Sequence, residues 1–456
     1  MKLPNTLKTP ALLQKLQWVI DPVGYMEQAA QQHPDLFTAE IVGFGDTVVF
    51  LYDPQAIQEV LTNDRKKFVA LSQGNRFLQP IVGDYSIAML EGERHRKRRQ
   101  LLLPPLHGER LQAYSQLICN LTDKIFSQLP QNQSFSACVV TQQISVQVIL
   151  EVIFGLSQGK KRYQELEHLL MLAADIFQSH LAPIVLYFSF LQKDLGFWSP
   201  WGKFVRIQQQ IDELIYAEIA ERREQFNPHC PSDMPRDRID ILSLLLSARD
   251  EMGNSITDLE VRCELMTLLL AGQESTASAM AWGLYWVHQL PHVHEKLLCE
   301  LNSLGGSPDP MSLVRLPYLT AVCHETLRIA PAVMVTFPRI VQESVELLGH
   351  RLEPGMVVLG CVYLTHQRED LYPQPKQFKP ERFLERQFSP YEFMPFGGGA
   401  RGCIGGSLAQ FELKLVLATI LSKYQLELAD HRPEQLRRRG ITLAPTNGIK
   451  MKRTKI

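Results

Sequence analysis

The sequence predicts a mainly α-helical protein with a small β-rich region, and three observations carry that expectation. Apolar residues recur at three- and four-residue intervals over many segments from about residue 93 to residue 290. After Pro331 the texture changes to short strand-like runs bounded by turn residues. The 456 residues, 45% hydrophobic and 21% charged, supply enough apolar surface for a substantial core.

In chain order, short amphipathic helical pieces open the first 70 residues. TAEIVGF and TVVFLY then flank Gly45 and Asp46 as a hairpin, and Asp53-Pro54 reads as a cap followed by a first helical residue. The helical body, about 54–330, is broken by Pro104, Pro105, Pro130, Pro200 and the polar stretch 226–238. A second helical run occupies about 406–423. The β-rich parts are expected at about 37–52, 336–365 and 424–451, with a turn at Glu353, Pro354 and Gly355 and a strand in ITLAP near the end. With no internal repeat, Gly/Ser or Pro linker, or sustained heptad, the reading is one domain over 1–456.

Charge and composition narrow the partners. With 47 basic against 48 acidic side chains there is no global field for a phosphate backbone, so nucleic acid is not expected. The longest apolar run, 181–191, falls short of the roughly 20 residues a spanning helix needs, and MKLPNTLKTP lacks the apolar core of an export signal. Eight cysteines are scattered singly with no C-x-x-C pair, the usage of a reducing compartment. A cytoplasmic monomer without a transmembrane anchor is the expectation.

The most informative stretch is FGGGARGCIGG at 396–406, where six glycines surround Cys403 ahead of the helix-forming run SLAQFELKLVLATIL. Glycines cost backbone entropy, and close approach of main chain to a flat or charged ligand is one reason to keep them. A helix N-terminus beside Cys403 is expected to lower its thiol pKa. Gly397, Gly399 and Gly402 satisfy G-x-G-x-x-G, but the prolines of SPYEFMP argue against the strand a dinucleotide fingerprint needs. No Gly-Lys-Ser/Thr ends the run, which excludes a P-loop. A cysteine nucleophile or a plain glycine-rich turn stays open.

Phe396, Gly399, Arg401, Cys403 and Gly405 fill every fixed place of Phe-x-x-Gly-x-Arg-x-Cys-x-Gly, so the chain resembles the cytochrome P-450 family of haem-thiolate monooxygenases. The resemblance implies that Cys403 is the proximal ligand of the iron of haem b, with Phe396, Gly397, Gly405 and Arg401 against the cofactor and Arg401 on a propionate. A thiolate ligand favours O–O cleavage, and its surrounding amides tune it. Further matches follow in the family's order. His95 and Arg99 in GERHRKRRQLL, and Arg339 in VTFPRI, match propionate-binding positions, with His95 where many members have Trp. Glu325 and Arg328 form E-x-x-R, and Arg382 lies in FKPERF. The family pattern makes these three a buried structural network beside the cysteine loop.

On the distal side, AGQESTAS places Ala271 and Gly272 as a small face against the cofactor. The Ser275 hydroxyl, four residues on, can bond the Ala271 carbonyl and open the helix locally. Glu274 and Ser275 are the catalytic pair expected to relay protons, although the family usually has Thr where this chain has Ser275. The implied fold is a triangular prism enclosing haem, and the matches run from about residue 37 to residue 447. Positions matching family substrate contacts are Phe77, Leu78, Ile81, Val333, Met334, Val335, Leu443 and Ala444, with Arg76 as a carboxylate anchor.

The activity implied is hydroxylation of a fatty acid, terpene or similar hydrocarbon, with electrons from a ferredoxin or flavodoxin. Within the basic run 94–99, Arg94, Lys97 and Arg98 are expected outside as a landing patch for that donor. The apolar segment 181–201 suggests an entrance touching a membrane surface. A haem-thiolate isomerase or peroxygenase, and a non-catalytic haem sensor, are the alternatives.

Overall fold

The computed structural model describes residues 4–454 except 46, 71, 156–159, 178, 180–181, 226–239, 250–251 and 307. Asp46 of the expected hairpin turn and the polar stretch 226–238 therefore lie outside the described residues.

Two helices, Ala11–Ile20 and Pro22–Gln32, precede the hairpin of β1 (Leu36–Ala39) and β2 (Val48–Leu51), which pair antiparallel. Asp53 accepts the Ala56 N–H at 2.8 Å and Pro54 opens the next helix, as the Asp-Pro pair predicts. Two strands unforeseen in the sequence interrupt the helical body, β3 (Phe68–Val69) and β4 (Ser134–Ser136). Each is short, so periodicity has too few residues to register.

The helix Asp258–Gln289 is the spine of the molecule. Thr257 and Glu260 form a capping box at its start, each side chain taking the other's backbone N–H. Pro291 ends it and begins the next helix, Pro291–Asn302. The helix Ala137–Phe154 packs along the spine, where Gly272 allows close approach: a Cβ there would stand 2.8 Å from Ile149 Cδ1. Thr141 and Ser145 fasten the pair by donating to the carbonyls of Ala277 and Gly272 at 2.9 and 2.8 Å. Among the described residues Ala137–Phe154 is the one helix long and apolar enough to cross a membrane, and most of it is buried against other helices. The run 181–191 instead contains the short helix Ala182–Tyr187.

Beyond the helix Pro317–Ile329 come β5 (Arg339–Val341), β6 (Val345–Leu347), β7 (His350–Leu352) and β8 (Val357–Gly360). One sheet runs β1-β2-β8-β5-β3, with β8 parallel to β2. The strand expected to continue to residue 364 stops at Gly360, and Val362–His366 is helical. The reason is the partner: Cys361 N–H reaches Leu51 O at 2.6 Å, and past Leu51 the chain turns into the Asp53 cap, leaving β8 nothing to pair with. The helix Gly406–Lys423 then packs against the spine, followed by β9 (Leu426–Leu428), β10 (Leu436–Arg439), β11 (Thr442–Pro445) and β12 (Lys450–Arg453).

Candidate functional site

Between the spine and the loop 396–406 lies a cavity of about 290 Å³. Phe396, Gly397, Arg401, Cys403 and Gly405 line one wall, and Ala271, Gly272 and Ser275 line the other. The loop's shape is set by Cys403 N–H bonding Phe396 O at 2.9 Å and by Gly397 and Gly399, whose φ of 64° and 65° disfavour side chains. Asp64 holds the loop from outside, accepting the Ala400 N–H at 2.6 Å. No local motif marked Asp64, because it reaches the loop across more than 300 residues of chain.

Cys403 faces the cavity, open to whatever fills it, yet lies deep among protein atoms. Burial pushes its thiol pKa up, against the pull of the Gly405 and Gly406 amides and of Arg99. The two amides at the helix N-terminus act in the expected direction, and burial acts against them more strongly.

At the rim, His95, Arg99, Arg339 and Arg401 come together. Arg99 donates to Gly402 O at 2.6 Å, and Arg401 to the carbonyls of Ile87, Leu90 and Ala70. Arg339 pairs with Asp64 at 3.3 Å, while its Nε is buried without a partner. Burial, then the charges of Arg401, Arg99 and Arg339, pulls the His95 imidazole down to about 4, so it is a neutral hydrogen-bonding group. Burial and then Arg339 pull Arg401 down to about 10. Cationic charge crowded this far, with an orphaned donor, is the complement of a ligand carrying two carboxylates. The residues present therefore fit haem, with Cys403 as its iron ligand and this rim for its propionates.

On the facing wall the Ser275 hydroxyl donates to Ala271 O at 3.0 Å, as the spacing predicts. The helix is nevertheless continuous there, without the expected opening. Glu274 does not line the cavity but lies by Arg439 and Thr442 near β11, and one of its oxygens is buried without a partner among the described residues. Burial pushes it up to about 7, opposed by Thr442 and Arg439. Glu412 is the residue the sequence reading missed. It lines the cavity from the helix Gly406–Lys423, and burial pushes it up to about 8 against a hydrogen bond to Ser145. Its signal was a lone carboxylate on the apolar face of FELKLVL.

Behind the loop, Glu325 takes both Arg328 Nε and Nη2 at 2.7 and 2.8 Å and Arg382 Nε at 3.1 Å, all three residues being buried. His366 links them to the loop, receiving the Met394 N–H at 3.0 Å while Arg328 bonds its carbonyl. One member of the basic run is misplaced by the sequence reading: Arg98 points inward and pairs with Glu264 and Glu260 of the spine at 2.8 and 3.0 Å. Helical periodicity explains it, since 95, 98 and 99 share one face. Arg94 and Lys97 are exposed.

Of the expected substrate contacts, Val333 and Val335 line the cavity. Met334, Leu443 and Ile81 are buried in the cores instead, with Phe77 and Leu78 half-buried against those cores, and Ala444 is buried as well. Arg76 is exposed. Met334 parts from its neighbours because its side chain packs into the core around Trp18, Phe44 and Leu443 and meets Arg438.

The sequence model of the family described as Cytochrome P-450 matches residues 7–453. A protein of Mycobacterium tuberculosis named cytochrome P-450 137 is 30% identical over 432 residues, covering 94% of this chain and 84% of the relative. One named cytochrome P-450 135B1 from the same species is 29% identical over 453 residues, covering 99% and 91%. Among solved structures, cyanobacterial CYP120A1 with retinoic acid bound has a TM-score of 0.83 at 23% identity, covering 100% of both chains. The haem domain of cytochrome P-450DA has a TM-score of 0.83 at 21% identity, covering 100% and 98%.

Proposed function

The chain belongs to the cytochrome P-450 family of haem-thiolate monooxygenases, and on that premise we propose that it hydroxylates a lipophilic substrate with electrons from a separate ferredoxin- or flavodoxin-type donor. The observation that carries the reading is Cys403 facing Ser275 across one largely apolar cavity. Haem b, when bound, supplies the activation of dioxygen. The single spacing of the cysteines supports a cytoplasmic setting.

The chain's own residues would divide the remaining work. Cys403 presents its sulfur on a loop fixed by glycines and Asp64. Arg99, Arg339 and Arg401 neutralise the propionates, and neutral His95 adds a hydrogen bond. Ala271 and Gly272 leave space beside the spine, and Val333 and Val335 keep it apolar. Ser275 holds a proton on its hydroxyl at the cavity wall. Glu274, poised near neutrality on the far side of that wall, holds the next one on its unpartnered carboxyl oxygen and draws on the polar β10–β11 side.

Replacing Ser275 with Ala or Glu274 with Gln is expected to lower product formation roughly 100-fold. Electrons would then leak to peroxide, and Ser275→Thr should tighten coupling. The sign with pH follows from the raised carboxyl. Glu274 can donate while protonated, so coupled turnover declines as pH rises through about 7, and Glu274→Gln should lose that limb of the profile. Substrate-dependent NADPH consumption with a surrogate ferredoxin system, measured with product and peroxide, checks all three variants and separates a monooxygenase from a sensor or isomerase.

The donor would dock on the exposed cations Arg94 and Lys97. Reversing both to Glu is expected to slow reduction about tenfold at low salt and much less at high salt, by stopped-flow measurement. Reversing Arg98 should damage folding instead, since Glu264 would lose its partner.

A further inference from the structure

Arg98, Arg222, Arg262, Arg328, Arg339 and Arg382 are buried and each pairs with a carboxylate. Arg438, on β10, is buried to the same degree and pairs with none among the described residues. Among the described residues its Nε and Nη1 have no partner, and Nη2 has only the Met334 sulfur at 3.4 Å. Two rings attend its charge, Trp18 with its centroid 4.6 Å from Cζ and Tyr187 at 5.1 Å. Aromatic faces attract a cation but leave the guanidinium N–H bonds without an acceptor. Trp18 adds a third unused donor, its own Nε1, at a residue with no exposed surface.

The surroundings are built rather than incidental. Trp18 contacts Phe44, Phe44 contacts Phe77, and Phe77 contacts Tyr187, closing an aromatic ring of neighbours around the guanidinium. A Cβ on Gly43 would stand 2.5 Å from the Tyr187 ring, so that glycine lets the ring close in. Three unused donors beside two aromatic rings, unmatched by any carboxylate among the described residues, describe a receptor for a small anionic group.

The box also adjoins the catalytic cavity. Met334, which touches Arg438, lies between Val333 and Val335 of the cavity wall. Leu443, cross-strand partner of Arg438, bonds through its N–H to Ala332, another lining residue, at 2.8 Å. We propose that Arg438 and Trp18 receive the carboxylate of an amphiphilic substrate whose apolar tail extends past Met334 to Cys403. The proposal rests on the lipophilic-substrate reading and assigns the anchor to Arg438 rather than to exposed Arg76.

Calorimetric titration of the purified holoprotein with dodecanoate and with methyl dodecanoate tests it. The wild type should bind the acid at least about tenfold more tightly than the ester. Arg438→Gln should erase that preference with ester affinity retained, Trp18→Phe should narrow it, and Arg76→Gln should leave it intact. Equal binding of the two ligands by the wild type, binding of neither, or a preference that survives Arg438→Gln overturns the proposal. If Arg438→Gln does not fold, the wild-type ratio and the other two variants still decide. The absorption band of the carbon monoxide complex, recorded on the same samples, reports the haem-thiolate reading separately, because the acid-to-ester ratio does not depend on turnover.

Discussion

A Cys403→Ser variant is expected to fold and to lose more than about a thousandfold in monooxygenase activity, together with the thiolate absorption band of its carbon monoxide complex. Folding should survive because the loop is held by main chain and by Asp64. Cys403 N–H bonds Phe396 O, Ala400 N–H bonds Asp64, and the thiol itself faces the cavity. Activity should not survive, because a serine hydroxyl titrates far above any thiol and cannot place comparable electron density on the metal. Burial already raises the Cys403 pKa, so the anionic form depends on the iron as well as on Arg99 and the two amides. Haem content measured alongside the spectrum distinguishes lost ligation from lost protein. A variant that kept both the band and the turnover would show that another side chain holds the metal.

The second large effect is on stability. Arg328→Met should destabilise the protein by about 3–5 kcal/mol, because it leaves the Glu325 carboxylate, fully buried, with Arg382 as its one remaining cation. Against a total margin of about 5–15 kcal/mol for a folded protein, that is enough to reduce the recovery of haem-loaded material. Glu325→Gln should be milder: Arg328 keeps its bonds to the carbonyls of His366 and Pro375, and Gln preserves an acceptor for the Lys379 N–H. The double variant should cost less than the sum of the two, since the two charges leave together and Arg382 alone is left on its carbonyl partners at Pro373 and Gln377. Urea unfolding followed by the tryptophan signal and by the haem spectrum would measure this. Additive losses would mean that the pair does not act as a unit.

These expectations rest on residues of different legibility. Glu325, Arg328 and the Ser275–Ala271 bond were readable from helical spacing, while Cys403 and Arg401 were marked by the resemblance of their short loop to the family pattern. The Asp53 cap and the strand in ITLAP, β11, were readable from equally local patterns. Arg98 was assigned to the wrong side of its helix because the run of cations hides which face meets the acidic residues of the spine. The substrate positions near 334 and 443 were assigned by resemblance, and there the packing of the cores decides which side chains reach the cavity.

The amino-acid sequence by itself determined the helical body, the cysteine loop with its glycines, the ion-pair triad and the pairing of an acid with a hydroxyl. These depend on contacts within a few residues, or on motifs specific enough to stand for them. Only the tertiary structure decided that Asp64 holds the loop, that Glu412 looks into the cavity, that Glu274 turns away from it, and that Arg438 meets Trp18 without a counter-ion. Each is an encounter between segments far apart in the chain. Burial and charge there depend on everything packed around the group, which no local spacing encodes.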